Sequence, residues 1–452
     1  MPDTSPRRRR WVATAPCCAA LLAGCAHYAP LPLPAAPTLA PDVAALATPA
    51  SASTPLSVEQ VVALALANNP DLKAVRLRHE VAAGQAQQAS ALPNPSLSAS
   101  LPPLISGAGT ASAWSIGLSQ DIKALITYAP RRRAANDSRD QVAADVVWQE
   151  WQVAGRARQL ATDLILTDRA RPSYAEAYRL LAEREVRLDR ALAAGNLTLT
   201  SIAPDRVALQ FARTALDSVD QKRLALRHQL NALLGLSPDA SLSLASDPDL
   251  PAFDPVAIRA GLPDLANRRP DLLALRLGYA AADETVRTQI LAQFPSLTLG
   301  AGINSDNAHV VNGGPNLSLG LPIFDRNQGG VAIANATRAQ LHAEYAARLA
   351  AIHGEVGAML AEIEQLSTQL AIARRDLPAA QAAADNARTA FAAARLDERG
   401  YVDLVSNRFA KEEEIMTLEN ALLDRQIAIE TLLGTGLPTA DLPAEPTAGA
   451  AR

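Results

Sequence analysis

Six histidines, His27, His79, His228, His309, His342 and His353, are the first residues to test for catalysis or metal binding. None stands in a His-Glu-x-x-His or comparable ligand spacing. His342 and His353 would share one helical face, but the helical rise separates them by about 16 Å, too far for one ion. Beyond Met1, Met359 and Met416 are the only methionines, so no methionine-rich relay for soft metals is available. Gly313-Gly314 and Gly329-Gly330 are isolated pairs, not phosphate loops, and no Ser/His/Asp or Cys/His set stands out. The types and spacings argue against an enzyme, a cofactor or a resident metal. Shape is expected to do the work.

Cysteine offers one reaction. Arg7-Arg8-Arg9-Arg10 and the short apolar stretch Trp11 to Leu22 have the form of a secretory signal over residues 1–24. Leu22-Ala23-Gly24-Cys25 ends it like a lipobox, which implies thioether lipidation of Cys25 and cleavage before it. An ordinary secretory peptide with an incidental cysteine is the alternative. Ala26 stands where an inner-membrane retention signal would place Asp, which points to the outer membrane. Cleavage would remove Cys17 and Cys18, leaving one thiol and no internal disulfide. The removed segment carries four Arg and one Asp, a net +3 against −4 for the whole chain, leaving −7. An acidic body suits cationic cargo and is poor for nucleic acid. No run of roughly eighteen apolar residues follows, so no membrane-spanning helix is expected.

These residues need elements to position them, and the elements come twice. Asn69-Pro70-Asp71-Leu72 returns as Arg269-Pro270-Asp271-Leu272, Pro95-Ser96-Leu97 as Pro295-Ser296-Leu297, and Leu233-Leu234-Gly235 as Leu432-Leu433-Gly434. Matches at one spacing of about two hundred residues indicate a tandem duplication. The expected division is 1–24 signal peptide, 25–55 Pro/Ala-rich linker, 56–250 first repeat, 251–437 second repeat and 438–452 disordered tail. Ser57 is an N-cap for a short helix through Ala67, and a second helix runs from Asp71 to about Ala91.

Two segments in each repeat then alternate with period two. Leu97, Ala99 and Leu101 oppose Ser96, Ser98 and Ser100; Trp114, Ile116 and Leu118 oppose Ser115, Gly117 and Ser119. In the second repeat Leu297, Leu299, Ala301 and Ile303 oppose Ser296, Thr298, Gly300, Gly302 and Asn304. Leu317, Leu319 and Leu321 oppose Ser318 and Gly320. The polar faces are small and almost uncharged, which matches membrane barrel strands lining a wet lumen. Two soluble hairpins packed on helices are the other reading.

Helical hairpins make the bulk. Arg131 to Ala194 is interrupted only at Pro172, and Gln328 to Arg395 only at Pro378, where a bend or break is expected. Leu341, Tyr345, Leu349, Ile352, Val356, Met359, Ile363, Leu366 and Leu370 form one apolar stripe. Some sixty residues give a rod on the order of 90–100 Å. Shorter limbs return over about Ile202–Leu234 and Tyr401–Leu433. Trp148 and Trp151 read as packing residues. Arg131-Arg132-Arg133 reads as a lipid-headgroup anchor or a solvated helix start. Four strands cannot close a barrel alone, so sister copies must supply the rest.

The paired Asn/Arg-Pro-Asp-Leu openings, the Leu92-Pro93-Asn94-Pro95 lead into the first strand and the hairpin lengths resemble the TolC family of outer membrane efflux proteins. The resemblance spans roughly Leu56 to Leu437. It implies a mainly α fold with a small transmembrane β part, in which duplicated long helical hairpins form a trimeric α-barrel tunnel. Four strands per chain would contribute to a twelve-stranded β-barrel. The implied partners are two sister copies in a homotrimer, a periplasmic adaptor (membrane fusion) protein, an inner-membrane transporter reached through it, and outer membrane lipid. No nucleic acid and no cofactor are implied. The expected function is the passive exit channel of a tripartite efflux system for small toxic compounds or metal ions, and the strand lead with Arg131-Arg132-Arg133 looks most like the heavy-metal and resistance-nodulation-division branches. The rivals are a similar duct for protein secretion and a lipid-anchored periplasmic scaffold without a pore.

In that family the tunnel narrows at the hairpin tips behind inward acidic and polar side chains. Carried over, the aperture candidates are Asp397, Glu398, Tyr401 and Asp403 at the second tip and Asp205 at the first. Threefold repetition would set three copies of an inward carboxylate on one ring, a cation-selective constriction. The adaptor-docking candidates are Gly195 and Asn196 on one tip and Arg399 and Gly400 on the other. Solvated charge on a turn is the plain reading of each. Ala394-Arg395 stands against Ala194-Gly195, a departure from the family's tip.

Overall fold

The computed structural model describes residues 28–46, 55–249, 253–434 and 437. Cys25, the expected signal peptide and the expected C-terminal tail lie outside the described residues. Residues 28–39 belong to one unit and carry neither helix nor strand. A second unit begins at Ala40 and holds both repeats.

Local punctuation sets the helix starts. Helix α1, Val58–Asn68, opens on a capping box in which Ser57 and Gln60 satisfy each other's backbone N–H groups. Helix α2, Pro70–Ala89, places Pro70 at its first position, where no N–H partner is needed. After strands β1, Ser96–Ser100, and β2, Trp114–Asp121, a short α3, Ile122–Ile126, leads into α4, Tyr128–Ala193. The returning limb is α5, Leu199–Leu234. The second repeat opens with α6, Pro255–Gly261, and α7, Leu265–Arg268, then α8, Pro270–Leu291, which matches α2. Strands β3, Ser296–Ser305, and β4, Val311–Gly320, precede α9, Gln328–Ala392, and α10, Glu398–Leu433.

The expected interruption at the two prolines does not become a break, because α4 continues through Pro172 and α9 through Pro378. A mid-helix proline costs about 3 kcal/mol, which a rod anchored by packing on both sides of it can absorb. Within the segment expected as linker, Asp42 caps the turn Val43–Ala45, and Val43 and Leu46 enter the first core.

Helix α4 is the axis, touching α1, α2, α5, α8 and α10, while α9 packs on α8 and α10. One core gathers Trp151, Leu160, Leu164, Leu230 and Leu234 around α1; another joins Leu272, Ile352, Val356, Ile363 and Ile429. Trp148 and Trp151 sit 6.1 Å apart, with Trp151 buried, as expected of packing residues.

The repeated motifs dock on each other. Asn69 Nδ2 donates to the Leu233 carbonyl at 2.8 Å, and Arg269 Nη1 donates to the Leu432 carbonyl at 2.9 Å. Each opening thus satisfies a carbonyl that the end of its own returning limb would leave unpaired. Gly235 at φ 73° and Gly434 at φ 71° end those limbs in the left-handed region. The first and last motifs of each repeat form one contact.

The four strands form a single antiparallel sheet in the order β1-β2-β3-β4. Its register keeps the two faces distinct, with Gln120 and Ser305 as polar members of the apolar one. Leu97 opposes Leu118, Ile116 opposes Ile303, and Leu299 opposes Leu317 on one face. Ser98, Gly117, Gly302 and Gly314 form a row across the other. The apolar face is largely open to solvent: Leu97 is 74% exposed and Leu317 65%. Among the described residues, strands β1 and β4 are the open edges.

Candidate functional site

The two hairpin tips carry the sequence candidates. At the first, Gly195 at φ 77° turns the chain, its N–H bonding to Leu192 O and that of Asn196 to Ala191 O, each at 2.9 Å. Thr198 and Ser201 then cap α5 reciprocally. At the second, the same pair of bonds forms from Ala394 and Arg395, with Ala394 at φ 56°. The structural counterpart of Gly195 is therefore Ala394, which adopts the left-handed conformation without glycine's freedom. Gly195, Asn196 and Arg399 are exposed on these turns, while Gly400 is half-buried behind Asp397.

The aperture candidates differ in what holds them. Asp397 caps α10, its Oδ1 accepting the Gly400 N–H at 3.0 Å. Asp205 is held inside the first hairpin by Arg184 Nε at 2.8 Å, with both side chains largely buried. Glu398 crosses between the hairpins to Arg187 Nε at 2.5 Å, and Tyr401 stacks on Phe391 with centroids 5.1 Å apart. Asp403 is open to solvent, its side chain 69% exposed and 3.9 Å from Arg399. The structure brings Glu398 to the first tip; Asp205 and Asp397 each serve their own hairpin.

Sequence reading missed the residues that join the hairpins. Arg169 meets Glu419 at 2.9 Å, and Glu419 also accepts from Arg374 at 2.7 Å, so one carboxylate links α4, α9 and α10. Tyr174 and Glu413 line one groove across the same seam, where burial and the carboxylate raise the pKa of the Tyr174 hydroxyl. Nothing local in the sequence signals pairs separated by some 250 positions. Farther from the tips, burial pushes the Asp424 carboxyl up to about 6, with Asp163 adding to the shift and Lys222 and Arg425 opposing it. Burial raises Asp163 too, against Lys222 and Arg156. Arg133 of the expected lipid anchor pairs with Glu284 at 3.0 Å.

Among the described residues, no three His, Cys, Asp or Glu side chains converge as metal ligands, and no helix is long and apolar enough to cross a membrane. The arrangement is one of rods, turns and an open two-faced sheet.

Comparison with known proteins gives the same picture. Residues 261–435 match the family model "Outer membrane efflux protein". The chain is 24% identical over 407 residues to the cation efflux system protein CusC of Escherichia coli O6:H1, covering 84% of this chain and 86% of that one. It is 26% identical over 179 residues to the probable outer membrane lipoprotein SilC of Salmonella typhimurium, covering 37% of this chain and 39% of SilC. Among solved structures, the Campylobacter jejuni CmeC outer membrane channel superimposes with a TM-score of 0.70 at 18% identity, over 93% of this chain and 96% of CmeC. The second half of the chain thus matches the outer membrane efflux protein model, and the whole chain is similar in sequence to CusC and shares its fold with outer membrane channels.

Proposed function

We propose that this chain is the outer-membrane exit duct of a tripartite efflux system, passing small toxic compounds or metal ions passively from the periplasm. The observation that carries the reading is the sheet: four strands with an apolar face exposed, a small polar face behind it and both edges unpaired. In lipid every backbone N–H and C=O must be paired. Edges β1 and β4 therefore call for sister copies, and three chains bring twelve strands, enough for a barrel with a wet interior. The duplicated rods continue the pore as a periplasmic tunnel, with Cys25 adding a lipid anchor.

The acidic balance and the cation efflux named for CusC favour cationic cargo. At the tunnel end Asp403 is the foremost aperture carboxylate, because its charge is the least committed to a partner within the chain. Gly195, Asn196, Arg399 and Gly400 present the tips to a periplasmic adaptor, which would join the duct to an inner-membrane transporter.

Purified protein in a planar bilayer tests the reading. A particle of three chains by native mass spectrometry, with cation-selective conductance that Asp403→Asn reduces, is the expected result. A monomer that conducts nothing overturns the duct.

A further inference from the structure

The seam between α4 and α10 is closed by ion pairs at two levels, Arg169 with Glu419 at 2.9 Å and Arg187 with Glu398 at 2.5 Å. Between these levels the helices enclose a groove of about 350 Å³. Tyr174 and Leu181 of α4, Phe211 of α5, and Phe409 and Met416 of α10 form its walls, and Glu413 is its one charged lining residue. Phe211 is 72% exposed, an aromatic ring left in solvent beside other apolar side chains.

Two features select the chemistry of an occupant. Glu413 forms no ion pair among the described residues; it lines the groove together with Tyr174, whose hydroxyl is kept protonated by burial and by the carboxylate. The Glu413 carboxylate is exposed, which leaves its lone pairs available. Arg408 already lies over Phe409, 4.5 Å from its centroid, so Tyr174 and Phe211 offer the less occupied ring faces. Aromatic faces beside a carboxylate attract an organic cation, and a volume of a few hundred Å³ suits a drug-sized molecule. An anion would meet Glu413, and a divalent metal would find one carboxylate where it needs several oxygen ligands.

We propose that this groove binds a monovalent amphipathic organic cation, its apolar body against Leu181, Phe211 and Met416 and its charge beside Glu413. The occupant would touch both hairpins. The site does not depend on the transport reading.

Rhodamine 6G binding to the full-length protein in lipid nanodiscs, followed by fluorescence polarisation with empty discs subtracted, tests the site. Saturable binding is expected, weakened at least tenfold by Phe211→Ala and by Glu413→Gln. Both side chains are exposed, so the variants are expected to fold, and circular dichroism checks that they do. Phe324→Ala, which removes an exposed aromatic beyond the sheet, should change nothing. A neutral rhodamine of the same ring system should bind at least tenfold more weakly. Absence of saturable binding, as when a second copy or an adaptor helix covers the groove, overturns the proposal. Binding indifferent to both groove variants, or equal for the neutral dye, does so too.

Discussion

The two hairpins have almost the same dimensions and are held shut by different forces. Their long limbs count 66 and 65 residues, and both returning limbs count 36. In the first, α4 and α5 are stapled by Arg171 to Asp220, Arg223 to Asp168, Arg184 to Asp205, and Arg206 to both Glu185 and Asp189. In the second, Arg374 to Glu419 and Arg425 to Glu362 cross between α9 and α10, and the rest is apolar: Leu370, Ala373, Ala384, Ala387, Val402, Val405 and Ile415 are buried. One topology has thus been closed twice, by guanidinium–carboxylate pairs and by apolar side chains. Exposed pairs are worth about 0–1 kcal/mol each and fade with salt, whereas apolar burial does not. The first hairpin should loosen in high salt and the second should not, a contrast that hydrogen exchange along α5 and α10 can read.

The largest effect is expected where the repeats dock. Arg269 and Asp271 are both buried, and Arg269 also donates to Leu432. Arg269→Ala leaves the Asp271 carboxylate with the Leu272 N–H at 3.0 Å and the half-exposed Arg348 at 3.2 Å, and should cost about 3–5 kcal/mol. Asn69→Ala, its counterpart, loses neutral hydrogen bonds and should cost about 1–3 kcal/mol. Denaturant titration of the pair shows whether the two docking contacts are equivalent; equal losses would break the distinction.

The two limb ends offer a second contrast. A Cβ at Gly434 would strike the Trp151 ring, whereas one at Gly235 would come no nearer than 3.3 Å to Asn68 O. Both substitutions carry left-handed strain of about 1–2 kcal/mol, and Gly434→Ala adds overpacking of about 1–3 kcal/mol. Gly434→Ala should therefore lower Tm well below Gly235→Ala.

Acidity sharpens the comparison where α4, α5 and α10 meet. The folded Asp424 carboxyl holds its proton to about 6, while an unfolded Asp releases it near ~3.9. The folded state then binds more protons in that window, so the stability this group contributes at low pH is lost as pH rises from about 4 to about 6. Asp424→Asn should flatten that slope and raise Tm at neutral pH. An unchanged Tm-versus-pH curve would discount the burial of this group.

The tips give the smallest effects. Ala394→Gly relieves left-handed strain that Gly195 never bears, and should add about 0.5–1 kcal/mol to the second tip. Slower hydrogen exchange at Arg395 and Phe391 would register it. Glu398→Gln, at a partly exposed pair, should change stability by under about 1 kcal/mol. If the duct reading holds, it should nonetheless raise the open fraction in bilayer recordings by releasing Arg187.

Much of this was legible in the chain, and the reasons are local. Period-two alternation in Leu97–Leu101 and Leu297–Ile303 declared strands with one oily face, because alternation is a property of the backbone itself. Ser57 and the Asn-Pro-Asp opening declared helix starts through groups within four residues. Pro172 and Pro378 misled as possible breaks because a proline's local cost says nothing of the packing on either side. Ala394 misled because the register of a turn depends on which carbonyl the chain bonds back to. The candidate carboxylates were visible, but their partners were not: Asp205 looked as free as Asp403 until Arg184 arrived from the opposite limb.

The residue order alone determined that there are two repeats, two long rods in antiparallel hairpins and four ribbons oily on one side, since these follow from spacing along one chain. Only the tertiary structure decided that β2 joins β3 across the repeats, that Asn69 and Arg269 close on the ends of their own returning limbs, and that Glu419 and Glu398 tie one hairpin to the other. Those contacts depend on which rods lie side by side, and that is chosen by the total apolar surface buried along their lengths, a sum that no local stretch of sequence contains.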